Sequence, residues 1–194
     1  MKRTLDILIV LLALPLLGVL GLIVAGLIWA VDGCPILYVS ERAGLGGAPF
    51  RFLKFRTMRG GAGTDAERLT RLGRFLRATS LDELPQLLHI LSGQMSLVGP
   101  RPLPVRYLPR YSAEQARRHE VRPGLTGWAQ VNGRNALDWP TKLRMDVWYV
   151  DHRSLALDAR IVLLTIGRLF RRTGINHAGC DTMYEFTGEQ GERK

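Results

Sequence analysis

Asp82 and Glu83 stand side by side in the stretch Thr79-Ser80-Leu81-Asp82-Glu83-Leu84-Pro85-Gln86-Leu87-Leu88-His89-Ile90-Leu91. Arg68, Arg71, Arg74 and Arg77 precede them, and Arg101 follows in Ser96-Leu97-Val98-Gly99-Pro100-Arg101-Pro102. Guanidinium groups grip phosphate oxygens in a planar fork, so a carboxylate pair ringed by arginines points to chemistry on phosphates. Neighbouring side chains point in different directions, which suits two carboxylates with two jobs better than a pair sharing one proton. A purely structural use of the same residues stands beside this. Ser80-x-x-Glu83 fits a capping box, with Asp82 at the positive end of a helix dipole. Pro85 cannot donate to the Leu81 carbonyl and turns Leu84 from helical angles. That allows the helix to begin at Pro85 and leaves Asp82 and Glu83 on an exposed turn.

The first element that must position this pair is apolar. Residues 7–31 form a 25-residue run without a charged side chain. As a helix it is about 37 Å long, more than the roughly 30 Å hydrocarbon core of a bilayer. No small-x-small cleavage site follows it, so a signal peptide fits poorly. Lys2 and Arg3 lie before the run, and Arg42, Arg51, Lys54, Arg56 and Arg59 lie after it. The positive-inside tendency draws both flanks to the same side. Pro15, with Gly18 and Gly21 beyond it, should kink the helix mid-run. A re-entrant membrane helix over residues 1–33 is preferred to a simple span, which stays open as the alternative, and a cytosolic-face domain over 34–194 that ends in a short polar tail is expected.

After the helix the pattern becomes strand-like. Ile36 to Val39 is a strand candidate, and Phe50 to Arg56 alternates with period two around a Gly44/Gly46/Gly47 turn. Phe50, Phe52 and Phe55 are expected against core or lipid; Lys54 and Arg56 face either solvent or a phosphate. The glycines at 60, 61 and 63 lack the lysine and hydroxyl of a P-loop. Asp65 to Arg77 reads as one amphipathic helix whose basic stripe is a solvated face or a grip on lipid headgroups. Ser112 to Glu120 and Thr141 to Val150 read as further helices. The Val121–Asn135 segment has the Gly/Pro content of a binding loop or of a structural loop around Trp128. Leu155 to Arg172 reads as an amphipathic helix, core-packed or lying in the membrane interface.

The net charge of +10 calls for anionic partners, among which nucleic acid, anionic lipid and nucleotides all qualify. Two cysteines, Cys34 and Cys180, make no disulfide framework and suit a reducing compartment. The four histidines show no zinc-like spacing.

Several segments together resemble the bacterial sugar transferase family, the monotopic phosphoglycosyl transferases. They are Lys2-Arg3 with Asp6, Pro15, Glu41-Arg42-x-Gly44, Lys54-Phe55-Arg56-Thr57-Met58, Thr79 to Gln86, Ser96 to Pro102 and Arg122 to Val131. The resemblance implies an α+β catalytic domain on a re-entrant helix, with amphipathic interfacial helices, at the cytosolic face of the bacterial cytoplasmic membrane. It implies transfer of a phosphosugar from a UDP-sugar to a polyprenol phosphate with release of UMP, Mg²⁺ as cofactor, and the start of glycan assembly. Asp82 matches the family's covalent nucleophile and Glu83 its metal-holding glutamate. Lys54, Arg56, Arg77, Arg101, Arg134 and Asp146 are the implied substrate-binding residues, and Pro15 is the helix break, preceded here by Leu14 where the family carries serine. Membrane lipids and downstream glycosyltransferases are the implied partners. Two rivals remain at this point, a membrane-tethered basic module without catalysis and a nucleic-acid binder. The apolar segment and the absence of a recognisable nucleic-acid motif count against the second, so no nucleic-acid partner is expected.

Overall fold

The computed structural model describes residues 1–133, 137–171 and 185–188. Helix α1 runs from Lys2 to Asp32, and its helical backbone carries through Pro15. Asp6, Val10, Val24 and Ile28 are its buried residues, spaced so that they fall on one stripe. Val10 packs with Phe50, Phe52, Leu87, Ile90 and Met95, and Leu17 leans on the same cluster. Val24 and Ile28 meet Phe55 and Leu76. Burying each of these aliphatic side chains is worth about 1.5–3 kcal/mol. The other faces are bare and apolar, with Leu12 86% and Leu16 and Leu22 each 75% exposed. That surface suits lipid, and the helix is long and apolar enough to associate with a membrane.

Both ends of α1 are tied to the rest of the chain. Lys2 Nζ donates to the Val98 carbonyl at 3.0 Å and to the Tyr149 hydroxyl at 3.1 Å, and it pairs with Asp158. Arg3 donates to the carbonyls of Ile90 and Leu91, and Ser96 Oγ donates to Asp6 at 2.7 Å. Thirty residues on, Thr70 Oγ1 donates to Asp32 at 3.0 Å and Arg56 donates to the carbonyls of Asp32, Gly33 and Cys34.

Strands β1 (Leu37–Ala43) and β2 (Pro49–Phe55) form an antiparallel ribbon in which Tyr38 faces Lys54, Ser40 faces Phe52 and Arg42 faces Phe50. Gly46 and Gly47 turn the chain at φ 62° and 78°, angles that favour glycine. All three phenylalanines are buried, Phe50 and Phe52 on one face as the alternation implied, and Phe55 on the other, against Val24, Ile28 and Leu76.

The single helix expected over 65–77 is two, α2 (Asp65–Arg68) and α3 (Arg71–Thr79). Thr64 caps the first and Thr70 the second, whose side chain accepts from the Gly73 amide at 2.8 Å. Leu69 between them is extended and bridges to Met58. A threonine that satisfies a free helix-start amide outweighs continuation of the helix. A 3-10 turn (Leu81–Gln86) then leads into α4 (Leu87–Ser92).

Strand β3 (Ser96–Val98) pairs in parallel with β4 (Gly124–Thr126), joining the two Gly/Pro-rich motifs. The approach is close enough to require glycine. A Cβ on Gly99 would lie 2.4 Å from the Arg122 carbonyl oxygen, and one on Gly124 would lie 2.1 Å from the Gly99 nitrogen. Between these strands come a 3-10 turn (Val105–Arg110), α5 (Ala113–Ala116) and another 3-10 turn (Arg117–Glu120), which divide the helix expected over 112–120. Helices α6 (Trp128–Val131), α7 (Trp139–His152) and α8 (Leu155–Arg171) complete the described chain. Ile161 of α8 packs with Val98, Val131 and Tyr149, while Leu163, Leu164 and Ile166 are exposed. Thus α8 has both a core-packed face and an apolar outer face. The whole is mixed helix and small sheets, α+β as the sequence implied.

Candidate active site

The carboxylate pair is positioned by a helix end. Helix α3 stops at Ser80, a non-glycine residue at φ 58°, whose amide donates back to the Arg77 carbonyl at 3.2 Å. Ser80 makes no side-chain cap for the following turn, so the capping box does not form. The chain winds through Leu81–Gln86 with Pro85 inside the turn, and this turn packs against the inner face of β2. Asp82 is therefore 5% exposed rather than on an open turn. Leu84 and Leu87, which pack toward Phe50, Phe52 and Ile90, pull the segment inward.

Lys54 reaches both acids from β2, with Nζ 3.3 Å from Asp82 Oδ2 and 2.7 Å from Glu83 Oε1. Arg101, just after β3, donates to the same Glu83 oxygen at 2.7 Å. Burial pushes the Asp82 carboxyl above its ordinary value, against the pull of Lys54, and the charge on Glu83 adds to the rise. Burial acts on Glu83 in the same direction. There Arg101 and Lys54 outweigh it and hold the carboxyl well below the usual carboxylate range. The adjacent acids are thus divided. Glu83 is a locked anion, whereas Asp82 has one long ion pair and a strained charge, the state of a nucleophile or base.

Of the residues singled out in the sequence, Lys54, Asp82, Glu83 and Arg101 are brought together. Asp146 lies one step behind them. It forms an ion pair of 2.7 Å with Arg118, both side chains 2% exposed, and Arg118 donates to the Arg101 carbonyl at 2.7 Å. Its contact is with the scaffold of Arg101 rather than with the open site. Arg77 donates to Thr57 Oγ1 at 3.0 Å, in the last turn of α3 before the carboxylates. Arg56 is directed to the carbonyls at the end of α1 and does not join the carboxylates. Arg134 lies outside the described residues.

Two residues of the site's framework carried no signal in the sequence. Arg118 is one arginine among many in a basic chain, and its partner is distant in sequence. His89 is one of four histidines without zinc-like spacing, which singles none of them out. It stacks on Phe52, accepts the Leu53 amide at Nε2 (3.1 Å) and meets Gln94 Oε1 at Nδ1 (2.8 Å). It thereby fixes β2 one residue before Lys54.

The donor set bears on the expected Mg²⁺. Among the described residues no group of three or more His, Cys, Asp or Glu side chains could hold a metal ion. The Asp82–Glu83 pair is what the site offers, and Glu83 Oε2 has no partner among the described residues. Mg²⁺ commonly takes one or two carboxylates and completes its shell with water and substrate phosphates. The residues therefore fit a magnesium ion that is held jointly with a diphosphate.

A family model described as bacterial sugar transferase matches residues 1–172. The chain belongs to that family. This sugar transferase is 45% identical to the sugar transferase EpsL of Bacillus subtilis over 97% of its own length and 96% of that protein's. It is 44% identical to the UDP-glucose:undecaprenyl-phosphate glucose-1-phosphate transferase of Caulobacter vibrioides, over 87% of this chain and 69% of that one. It is 39% identical to the UDP-N-acetylgalactosamine-undecaprenyl-phosphate N-acetylgalactosaminephosphotransferase of Aeromonas hydrophila, over 85% of this chain and 42% of the other.

Proposed function

We propose that this sugar transferase moves a sugar 1-phosphate from a UDP-sugar to a polyprenol phosphate through a covalent intermediate on Asp82. The names of its relatives support sugar-phosphate transfer to undecaprenyl phosphate. The observation that carries the covalent route is the division of the acids, with Glu83 gripped by Lys54 and Arg101 and Asp82 left buried on one longer contact.

In the first half-reaction a carboxylate oxygen of Asp82 attacks the sugar-bearing β-phosphorus of the donor. The bond from that phosphorus to the bridging oxygen breaks, its electron pair leaves with UMP, and an aspartyl phosphosugar remains. In the second, an oxygen of the polyprenol phosphate attacks the same phosphorus. The Asp82–phosphorus bond breaks, the carboxylate is restored, and a polyprenol diphosphosugar is formed. No net proton is consumed. Lys54 and Arg101 lie where they can meet phosphoryl oxygens in flight, and Arg118 with Asp146 keeps Arg101 from retreating. Mg²⁺, when bound by Glu83 and the diphosphate, supplies neutralisation of the charge that collects on the departing UMP.

The attachments of α1 support a re-entrant membrane arrangement. A helix that crosses a bilayer carries one end away from its domain, whereas here Lys2 to Asp6 and Asp32 both bond to the same body. This supports a reading in which both ends lie on one face, the cytosolic one by the basic residues that flank the helix, with the bare side of α1 in lipid. This places the carboxylates where a soluble nucleotide and a lipid phosphate can both arrive. The test is UMP release by the protein in lipid discs, given undecaprenyl phosphate, Mg²⁺ and a panel of UDP-sugars. Release with at least one sugar, abolished in Asp82→Asn, is expected. Release that persists in Asp82→Asn refutes the assignment.

A further inference from the structure

Among the described residues, one charged side chain near the site, Arg42, meets no anion. Arg42 donates from Nε to Ser40 Oγ at 3.3 Å, and its guanidinium lies 5.6 Å from the centre of the Phe52 ring. Among the described residues no carboxylate lies within 4.0 Å of it, and its two terminal nitrogens have no hydrogen-bond partner. Burial lowers the stability of its charge and the nearby Arg101 lowers it further, so the group gains from any anion that meets it. A partly buried, unpaired guanidinium is costly to keep, which is the mark of a site built for a charge that arrives from outside.

That site has a shape. A cavity of about 400 Å³ is lined by Tyr38, Ser40, Glu41 and Arg42 of β1 and by Pro104, Val105 and Arg106. The register places Tyr38, Ser40 and Arg42 opposite Lys54, Phe52 and Phe50 on one face of the ribbon. Glu41 stands opposite Arg51 in the register, on the alternate parity of β1, so it lies outside the row that Tyr38, Ser40 and Arg42 form. Lys54 lies over the same Phe52 ring, 5.9 Å from its centre. Along β2, Lys54 is four residues from the position that Arg42 faces, about 13 Å of strand. The cations Lys54, Arg101 and Arg42 thus lead from the carboxylates to the cavity. Arg106 at its far wall is 3.2 Å from Glu185, an exposed pair of the kind worth at most about 1 kcal/mol, so it remains recruitable.

We propose that this cavity receives the nucleotide half of the donor, with Arg42 holding the phosphate of the departing nucleoside monophosphate. The proposal rests on the phosphotransferase reading and extends it to a residue and a subsite outside the Lys54–Asp82–Glu83–Arg101 cluster. The phosphate lies toward Arg42 and Arg101. The Ser40 hydroxyl and the half-exposed Tyr38 ring meet the nucleoside, for which aromatic stacking and hydroxyl contacts are suitable chemistry.

The experiment measures binding of UDP and of uridine to the full chain in lipid discs, in an Asp82→Asn background so that nothing turns over. Arg42→Ala is expected to weaken UDP roughly 10- to 100-fold, the value of a charged hydrogen bond to phosphate, and to leave uridine unchanged. Arg106→Ala, on an exposed side chain whose loss cannot unfold the protein, is expected to weaken UDP several-fold. Equal UDP affinity in parent and Arg42→Ala overturns the inference while leaving the enzyme assignment intact. So does an Arg42→Ala protein that releases UMP normally but fails to pass its phosphosugar to the lipid, because the cavity then serves the acceptor. If the Asp82-containing protein neither binds UDP nor releases UMP from any donor, the phosphotransferase reading itself fails, and the subsite falls with it.

Discussion

Replacing Lys54 by methionine is expected to move the acid limb of the first half-reaction upward by about 1 to 2 pH units. Methionine keeps an unbranched apolar stem of similar reach and removes the ammonium that donates to both acids. The ammonium is 3.3 Å from Asp82 and 2.7 Å from Glu83, and a hydrogen bond to a charged group is worth about 1.5–3 kcal/mol. Each pH unit corresponds to about 1.4 kcal/mol between protonation states, which gives the stated shift. The sign follows from which form loses its partner. Burial already raises the Asp82 carboxyl above 3.8, with Lys54 opposing it, so removal of the cation raises it further. The nucleophile then protonates at a higher pH as acid is added. Glu83 keeps Arg101 and stays ionised, so the moving limb belongs to Asp82. The assay is single-turnover UMP release as a function of pH. Arg56→Met serves as control, since that guanidinium is committed to carbonyls at the end of α1. An acid limb in Lys54→Met that is unmoved, or lower, would show that Lys54 does not support the charge on Asp82.

Asp146→Asn leaves Arg118 buried without its counter-ion, and denaturant unfolding in detergent should show a loss of about 3–5 kcal/mol, largely recovered when Arg118→Met is added to Asp146→Leu. Gly99→Ala forces a Cβ to within 2.4 Å of backbone and should prevent folding to the native state, whereas Gly18→Ala, with nothing within 4 Å, should be neutral or stabilising by up to about 1 kcal/mol in the same assay. The two ends of α1 should label from one side of the membrane: an impermeant maleimide should reach the native exposed Cys34 and a Thr4→Cys thiol from the same face of sealed vesicles. Labelling from opposite faces would mean that α1 spans.

Features whose cause is local could be read from the chain. The charge-free run, the period-two alternation of β2 and the Gly44–Gly47 turn declare themselves within a dozen residues. So does the adjacency of Asp82 and Glu83. What was hidden depends on partners far apart in sequence. The burial of Asp82 follows from the packing of its turn against β2, which no local rule encodes, so an exposed turn was the natural expectation. Arg118 finds Asp146 across 28 residues, and in a chain this basic no arginine advertises such a role. Arg56 and Lys54 sit two apart in one alternating run and look alike in sequence. Their fates differ because the ribbon ends at Phe55 and Arg56 turns to the end of α1. Thr70 could have been read as a cap, but the continuing basic stripe around it masked the break.

The most direct test of a covalent route omits the acceptor. Given only a competent UDP-sugar and Mg²⁺, the protein should release about one equivalent of UMP and gain the mass of a phosphosugar on the peptide that contains Asp82. Addition of undecaprenyl phosphate should then discharge the adduct into lipid. UMP release that strictly requires the lipid, with no adduct on the protein at any time, would contradict the role assigned to Asp82 and point to direct transfer between the two substrates.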